Sequence, residues 1–275
     1  MSRLPSAARL AITNLILFAI VGCSSSNPPA NQSANPAQAT GGKKVVTISV
    51  AASTSDAMTE LARQFEKQAG CEVRVNSGPS NALANQIIAG APADLFLSAN
   101  RKLASEVEKA GQSKNAVPLL TNKLVLIVPK GNPAHVNEPA DLLKAEVKRV
   151  ALAGENVPAG MYAQQALTKL KVYDELVQAN KIARGQDVRS TLAYVERGEA
   201  EAGIVYSTDL LAAKNVEAVD EFDPHTHEEI AYVLVLLKHD DENGAAKEFY
   251  DFLASKNAEV IWQKYGFERI AEKSP

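Results

Sequence analysis

The chain has 275 residues, of which 46% are hydrophobic and 22% charged, so it is long enough to bury one large core or two moderate ones. Its 29 basic and 32 acidic residues are mixed along the chain and leave a net charge of -3. This composition excludes an intrinsically disordered protein, and it gives no basic face of the kind that binds nucleic acid.

The first 22 residues have the pattern of an export signal. Arg3 and Arg9 precede the apolar run LAITNLILFAIVG, which is shorter than the roughly 20 residues of a transmembrane helix. The tetrapeptide IVGC at residues 20–23 resembles the lipobox of bacterial lipoproteins. It predicts cleavage of residues 1–22 and a lipid on the sulfur of Cys23, which anchors the chain to a membrane. An ordinary secretory signal with a chance cysteine is the alternative.

A flexible tether is predicted to follow the signal. Residues 24–42 contain no charged and no aromatic residue, a composition typical of linkers. Together with the lipidated cysteine, the tether spans residues 23–43, and the folded part begins at Lys44. Only one other cysteine exists, Cys71, so we expect no disulfide within the exported domain. Cys71 is expected to be a small buried residue, with a reactive thiol as the alternative.

The folded part opens with alternating strand and helix patterns. KVVTISVAAS predicts a strand and TSDAMTELARQFEKQAG a helix. The same pair recurs in CEVRVNSG with SNALANQIIAGA, and again in ADLFLSA with RKLASEVEKAG. This βαβαβα order is typical of an α/β domain with a mainly parallel sheet.

A second α/β unit begins with the strong strand pattern of NKLVLIVPKGNP. It continues with a short helix near PADLLKA, strands in VKRVALAGE and AGIVYS, the segment KIARGQ, and helices in PAGMYAQQALTKL and VRSTLAYVERGEA. The last strand, EIAYVLVLLK, and two terminal helices fit best on the first unit. We therefore expect lobe 1 from residues 44–122 and 231–275, lobe 2 from residues 123–230, and a ligand cleft between them.

Motifs for catalysis are absent from the sequence. It contains no G-x-S-x-G, P-loop, H-E-x-x-H or C-x-x-C, and no G-x-G-x-x-G after a strand. His225 and His227 lie in the polar turn DPHTHEE, which is interpreted as a solvated loop, with a metal site as the alternative. We expect neither an enzyme nor a cofactor. A lipid-anchored hydrolase that uses Ser53 or Ser80 is the alternative from a different class.

Four junctions between a strand and a helix are candidate anion sites, because helix N-termini offer N–H donors and the positive end of the helix dipole. They lie at residues 53–55, 78–81, 158–160 and 186–188. Three of them contain Ser, Asn or Asp residues that could simply cap their own helix. The junction Pro158-Ala159-Gly160 has no capping side chain. Pro158 and Gly160 are expected to hold this turn open and to let an ion approach the backbone closely.

Several longer segments together resemble the molybdate-binding proteins of bacterial molybdate ABC importers. They are SVAASTSDAMTELARQFE, LANQIIAGAPADLFLSA, NKLVLIVPKGNP, GENVPAGMYAQQAL, DVRSTLAYVERGEAEAGIVYSTD and the terminal FYDFLAS and WQKYGF. The likeness runs from about Lys44 to Phe267. It implies an α/β fold of the two-lobed periplasmic-binding-protein class (type II), with molybdate or tungstate held between the lobes by neutral groups.

The resemblance also implies which residues bind the ion. The two serines would donate from hydroxyl and backbone N–H groups, the tyrosine from its phenol, and the other two residues from backbone N–H groups. These positions are Ser53, Ser80, Ala159, Val188 and Tyr206. A partner permease in the inner membrane is implied as well, and we expect an exported, lipid-anchored monomer at the periplasmic or outer surface. A receptor for sulfate or thiosulfate is the alternative, because donors alone match any fully deprotonated oxyanion.

Overall fold

The computed structural model describes residues 44–238 and 244–270. The predicted signal segment, the tether and Cys23 lie outside these described residues. Within the two described ranges, no helix is both long enough and apolar enough to cross a membrane.

The first part of the chain alternates strands and helices, as the sequence patterns predict. In chain order the elements are β1 (Val45–Ala51), α1 (Ser55–Ala69), β2 (Glu72–Gly78), α2 (Ser80–Ile88), β3 (Leu95–Ser98), α3 (Arg101–Lys109) and β4 (Ser113–Thr121). A short 3₁₀ helix, Ala52–Thr54, joins β1 to α1. Strand β4 has no counterpart among the predicted elements.

The next part of the chain supplies the strands of a second sheet, and it is called lobe 2 below, while the part that carries the first sheet is called lobe 1. Its elements are β5 (Leu124–Pro129), β6 (Val150–Ala153), α4 (Pro158–Lys169), α5 (Tyr173–Gln178), β7 (Ile182–Gly185), α6 (Val188–Glu196), β8 (Ala202–Tyr206) and β9 (Val216–Glu221). Two 3₁₀ helices, Pro139–Leu143 and Ser207–Leu211, lie between them. The predicted helix start near Ala159 is confirmed, whereas α5 and β9 were not predicted.

The chain then returns to lobe 1. It forms a 3₁₀ helix (Pro224–Thr226), β10 (Ala231–Leu237), α7 (Gly244–Leu253), α8 (Lys256–Lys264) and β11 (Glu268–Arg269). All seven residues of β10 are buried, which agrees with the continuous apolar run of a central strand. Cys71, next to β2, is 1% exposed, as expected for a small buried residue.

Two sheets organise these elements and confirm the two-lobed α/β fold. The order is β11-β4-β10-β3-β1-β2 in lobe 1 and β7-β6-β8-β5-β9 in lobe 2. Strand β1 pairs in parallel with β2 and β3, as β6 does with β7 and β8. The other pairs are antiparallel.

The sheets are therefore mixed, and the expectation of mainly parallel sheets is corrected. Each antiparallel pair contains β4, β5 or β10. Strands β4 and β5 flank the first crossing between the lobes, and β9 and β10 flank the second. Because β5 and β10 enter their sheets from the other lobe, no βαβ crossover helix requires them to run parallel to their neighbours.

Candidate functional site

A small cavity is lined by residues of both lobes. Its empty space, including the part open to solvent, is about 220 Å³, which is less than the roughly 300–1,000 Å³ of pockets for drug-sized ligands and suits a small ligand. All five predicted ligand positions lie on its wall: Ser53, Ser80, Ala159, Val188 and Tyr206. The first two belong to lobe 1 and the other three to lobe 2.

Four helix starts contribute to this wall. The chain leaves β1, β2, β6 and β7 at their carboxyl ends and enters α1, α2, α4 and α6 respectively. The first N–H groups of a helix have no acceptor within that helix, and they carry the positive end of its dipole. In α/β sheets, ligands bind at the carboxyl ends of the strands for this reason. The four junctions singled out in the sequence are thus brought to one place.

Side-chain capping distinguishes α6 from the other three helices. Thr54, Pro79 and Val157 occupy the N-cap positions of α1, α2 and α4, and none of them makes a side-chain cap hydrogen bond. Asp187 does cap α6, because its carboxylate accepts the N–H of Ser190 at 2.8 Å. The capping interpretation therefore holds for Asp187 and is wrong for the two serine-containing junctions.

Gly160 has a different role from the predicted one. It is not among the residues that line the cavity, although Pro158 and Ala159 are. A Cβ atom at Gly160 would lie 2.2 Å from the carbonyl oxygen of Gly154 and 2.4 Å from that of Ala153. The glycine thus lets the start of α4 pack directly on the end of β6. It does not serve to bring an ion close to the backbone.

Hydroxyl groups on the wall are arranged as donors toward the cavity. Ser80 Oγ accepts the backbone N–H of Ala99 at 3.1 Å, so its own hydrogen remains available. Ser53 Oγ lies 2.8 Å from Oη of Tyr232. Tyr206 is 1% exposed, and its hydroxyl has no hydrogen-bond partner in the described part of the chain. Burial raises the pKa of Tyr206 well above its ordinary value, so the phenol keeps its proton.

Acceptor groups are scarce on the same wall. Asp187 is the one carboxylate among the residues that line the cavity. Its Oδ1 is occupied by the N–H and the hydroxyl of Ser190, at 2.8 and 3.0 Å. Asp56 does not line the cavity and instead pairs with Arg189. The cavity therefore offers hydrogen-bond donors to whatever it holds.

Arg189 connects the two lobes beside the cavity. Its Nη2 lies 2.8 Å from Oδ2 of Asp56 and 3.5 Å from the carbonyl oxygen of Ser53, both in lobe 1. Its Nε lies 3.2 Å from Oδ1 of Asp209 in lobe 2, although the two atoms are not aligned as a hydrogen bond. Because Arg189 follows Val188 at the start of α6, it links two helix starts that line the cavity from different lobes.

Asp209 is fully buried behind the lobe 2 wall. Its Oδ2 accepts the backbone N–H of Tyr206 at 3.1 Å. Burial raises the pKa of Asp209 to about 7, against the opposing effect of the Arg189 guanidinium. The carboxyl group thus contacts both the backbone of Tyr206 and the side chain of Arg189, which follows Val188.

Further contacts join the lobes on the other side of the cavity. The hydroxyl of Tyr162 in lobe 2 donates to the carbonyl oxygen of Ala99 in lobe 1 at 3.4 Å. Asn100 Nδ2 lies 3.6 Å from Sδ of Met161. With Arg189, these contacts join the two lobes beside the cavity.

Sequence reasoning missed the residues that stand behind the predicted ligand positions. They are Asn122, Arg189, Asp209 and Tyr232. For Arg189 a signal existed, since a charged side chain directly follows Val188 at a helix start. The other three carried none, because each acts through a partner from another element. His225 and His227 stay in a polar turn, and no group of three metal-ligating side chains occurs within the described ranges.

Comparisons with known proteins agree with this fold. Residues 46–268 match the sequence model of the family described as bacterial extracellular solute-binding protein. The putative ABC transporter substrate-binding lipoprotein YvgL of Bacillus subtilis (strain 168) is 41% identical over 264 residues, which cover 94% of this chain and 95% of that protein. The molybdate-binding protein ModA of Escherichia coli (strain K12) is 39% identical over 231 residues, with 81% and 88% covered.

A solved structure extends the agreement to three dimensions. The substrate-binding domain of a putative molybdenum ABC transporter from Clostridium difficile superimposes with a TM-score of 0.64 at 32% identity, covering 83% of this chain and 100% of that one. Two of these names describe substrate binding for an ABC transporter, and the third describes molybdate binding. They confirm the resemblance inferred from the sequence segments. The chain is thus a homologue of molybdate-binding proteins and belongs to the family of bacterial extracellular solute-binding proteins.

Proposed function

We propose that this chain is the substrate-binding lipoprotein of an ABC importer and that it binds molybdate and tungstate in the cavity between its lobes. The observation that carries the proposal is the hydroxyl of Tyr206, which is buried on the cavity wall without a partner among the described residues. An unpaired buried hydroxyl costs about 1–3 kcal/mol. An oxygen of a bound anion would relieve that cost.

The remaining donors fit the same class of ligand. Ser80 Oγ accepts the backbone N–H of Ala99, so its own hydrogen is available to a ligand. Ala159 and Val188 lie in the first turns of their helices, where backbone N–H groups have no acceptor within the helix. Molybdate and tungstate are fully deprotonated dianions at neutral pH, so they offer only acceptors. Hydrogen phosphate carries an O–H group that needs an acceptor, and on Asp187, the one carboxylate of the wall, Oδ1 already accepts from the N–H and the hydroxyl of Ser190.

Binding is proposed to proceed by closure of the two lobes. Residues 123–230 would move as one lobe relative to residues 44–122 and the returning C-terminal part. An ion that contacts donors of both lobes stabilises the closed state over the open one, and this difference in affinity drives closure. The closed protein, acting as a monomer, would then dock on an ABC permease in the inner membrane and release the ion for import.

The lipid anchor is part of the same proposal. The IVGC sequence at residues 20–23 supports acylation of Cys23, and the relative from Bacillus subtilis is named a lipoprotein. The chain would thus remain at the periplasmic or outer face of a membrane. The intact mass of the mature protein decides this point, since a mass without acyl chains contradicts the anchor.

A thermal-shift screen of the purified protein with molybdate, tungstate, sulfate, thiosulfate and hydrogen phosphate tests the ligand. A ligand present at about 100 times its dissociation constant adds about 2.7 kcal/mol to the free energy of unfolding. We expect a clear rise of the melting temperature with molybdate and tungstate, and none with hydrogen phosphate. A rise with sulfate or thiosulfate alone would contradict the proposal and assign the site to those ions.

Replacing Asp56 with asparagine is expected to weaken molybdate binding by about 2- to 5-fold, mainly through faster release. The change removes the lobe 1 partner of Arg189 and leaves the cavity wall intact. The effect is small because the Asp56 side chain is 53% exposed, and exposed ion pairs contribute about 0.2–1 kcal/mol. Calorimetric titration gives the affinity, and stopped-flow competition with tungstate gives the release rate.

Glu60→Gln is the matched control for this experiment. Glu60 lies on the same helix, α1, but its ion pair with Lys264 joins two helices of lobe 1. Its loss should leave the affinity and the release rate unchanged. Equal release rates for the Asp56 variant and the wild type would show that the cross-lobe ion pair does not hold the lobes closed.

A further inference from the structure

A hydrogen-bonded pair of side chains stands behind Ser53, outside the cavity. Tyr232, the second residue of β10, is completely buried, and its Oη lies 2.8 Å from Ser53 Oγ. Asn122, at the first crossing between the lobes, places Nδ2 at 3.3 Å from the same Oη. Neither Tyr232 nor Asn122 is among the residues that line the cavity, so neither can touch a ligand there.

The orientation of the Asn122 amide is fixed by its neighbours. The backbone N–H of Lys123 lies 2.9 Å from Oδ1. A backbone N–H can only donate, so the atom that it meets must be the amide oxygen. Ser207 also donates to Oδ1, at 3.1 Å. The amide nitrogen consequently faces Tyr232 and Thr208 Oγ1, the latter at 2.9 Å, and it donates to both.

The direction of the remaining hydrogen bonds follows from this orientation. Tyr232 Oη receives a hydrogen from Asn122, and an amide N–H₂ group cannot accept one in return. The acceptor that remains for the phenol hydrogen is Ser53 Oγ. Ser53 therefore accepts from Tyr232, and its own hydrogen is left to point into the cavity.

We propose that Tyr232 and Asn122 are positioning residues that fix the hydroxyl of Ser53 as a donor toward the bound anion. The inference rests on the proposed function, because it assigns these two residues to the selectivity of the same site. With the Ser53 hydrogen directed into the cavity, a proton-free dianion is accepted, whereas the O–H group of a protonated oxyanion meets another hydrogen at Ser53. The pair thus discriminates between ligands that it does not contact.

Asn122 also lies at the first crossing between the lobes, between β4 and β5. It directly precedes β5, and it bonds Thr208 and Ser207, which follow Tyr206 in lobe 2, as well as Tyr232 in lobe 1. One amide therefore holds groups of both lobes next to their crossing point. The hydrogen bonds of Asn122 that join the two lobes thus also determine the direction in which the Ser53 hydroxyl donates.

Tyr232→Phe tests the inference, because it removes only the hydroxyl. The measurement is the affinity for molybdate and for hydrogen phosphate, by calorimetric titration or competition at about pH 8. We expect molybdate binding to weaken by about 3- to 10-fold. Hydrogen phosphate should weaken less or improve, because Ser53 can now accept its proton. The ratio of the two affinities is thus expected to fall by about tenfold.

Asn122→Asp provides a second variant with the same readout. A carboxylate accepts from Tyr232, so Ser53 would turn its hydrogen toward Tyr232 and present a lone pair to the cavity. The added negative charge weakens both dianions alike, and the ratio of affinities therefore reports polarity alone. We expect the ratio to fall at least as far as in Tyr232→Phe.

Tyr250→Phe is the control, since this tyrosine is also buried but lies on α7 and does not line the cavity. In this variant the ratio of the affinities for molybdate and hydrogen phosphate should equal that of the wild type. The affinity of the wild type for molybdate tests the proposed function separately. If the wild type binds sulfate and not molybdate, the proposed function fails, and the inference is then tested with the ratio of the affinities for sulfate and hydrogen phosphate. A purely structural role of Tyr232 would weaken both ligands in parallel. An unchanged ratio in both variants would overturn the inference.

Discussion

Replacing Tyr206 with phenylalanine is expected to weaken molybdate binding by about 10- to 100-fold, as the loss of a hydrogen bond to a buried charged group requires. The hydroxyl is buried on the cavity wall and has no other partner in the described ranges. The substitution also removes a polar atom that has no partner among the described residues. The free energy of unfolding without ligand should therefore stay the same or rise by up to about 1 kcal/mol.

Tyr206→Phe should weaken binding without lowering stability, and it is therefore a cleaner test of the site than a substitution of either serine. Ser80→Ala should also weaken binding, but it leaves the N–H of Ala99 without its acceptor and so lowers stability as well. Calorimetric titration measures the affinity, and denaturant unfolding without ligand measures the stability. Tyr250→Phe is the control, because it removes another buried hydroxyl that lacks a partner within the described ranges and lies away from the cavity. Wild-type affinity in Tyr206→Phe would contradict the proposed site.

The sequence predicted those elements whose patterns are local. The apolar strand of β1 and the amphipathic helix α1 are examples, because side-chain periodicity alone marks them. Strand β4 was missed because Pro118 interrupts it, and proline argues against a central strand. Its pairing with β10 accommodates the proline through a register shift between Tyr232 and Val233. Strand β9 was missed because it is an edge strand, VEAVDE, with half of its residues charged.

The site was predictable only as far as the resemblance reached. It named five ligand positions, and all five line one cavity, while their role as ligands stays a prediction. The support behind them depends on contacts that local patterns do not encode. Ser53 and Tyr232 are 179 residues apart in the chain, and Asn122 and Tyr232 are 110 apart. The role of Gly160 was misassigned for a similar reason, because its packing partner is the backbone at the end of β6.

Asp209 is expected to make the protein less stable as the pH rises from about 5 to about 8. Burial raises its pKa from 3.8 to about 7, the nearby carboxylates of Asp187 and Asp56 act in the same direction, and Arg189 and the N–H of Tyr206 oppose them. Between these two values the folded protein holds a proton that the unfolded chain has released. Unfolding therefore becomes easier with rising pH.

The size of this effect follows from the two pKa values. The contribution of Asp209 to stability is fully present below 3.8, the ordinary value, and it is lost as the pH passes about 7, the value in the folded protein. The expected loss between about pH 5 and pH 8 is roughly 2–3 kcal/mol. At higher pH the carboxyl group is ionised in both states, and its contribution no longer changes.

Asp209→Asn isolates this contribution, because asparagine can still accept the N–H of Tyr206 but does not titrate. Denaturant unfolding without ligand at several pH values gives the difference between the wild type and the variant, in which other titrating groups cancel. The difference should shrink by the stated amount as the pH rises. A constant difference for Asp209→Asn would mean that Arg189 keeps the carboxyl group ionised throughout. The pair would then be a permanent ion pair of lobe 2.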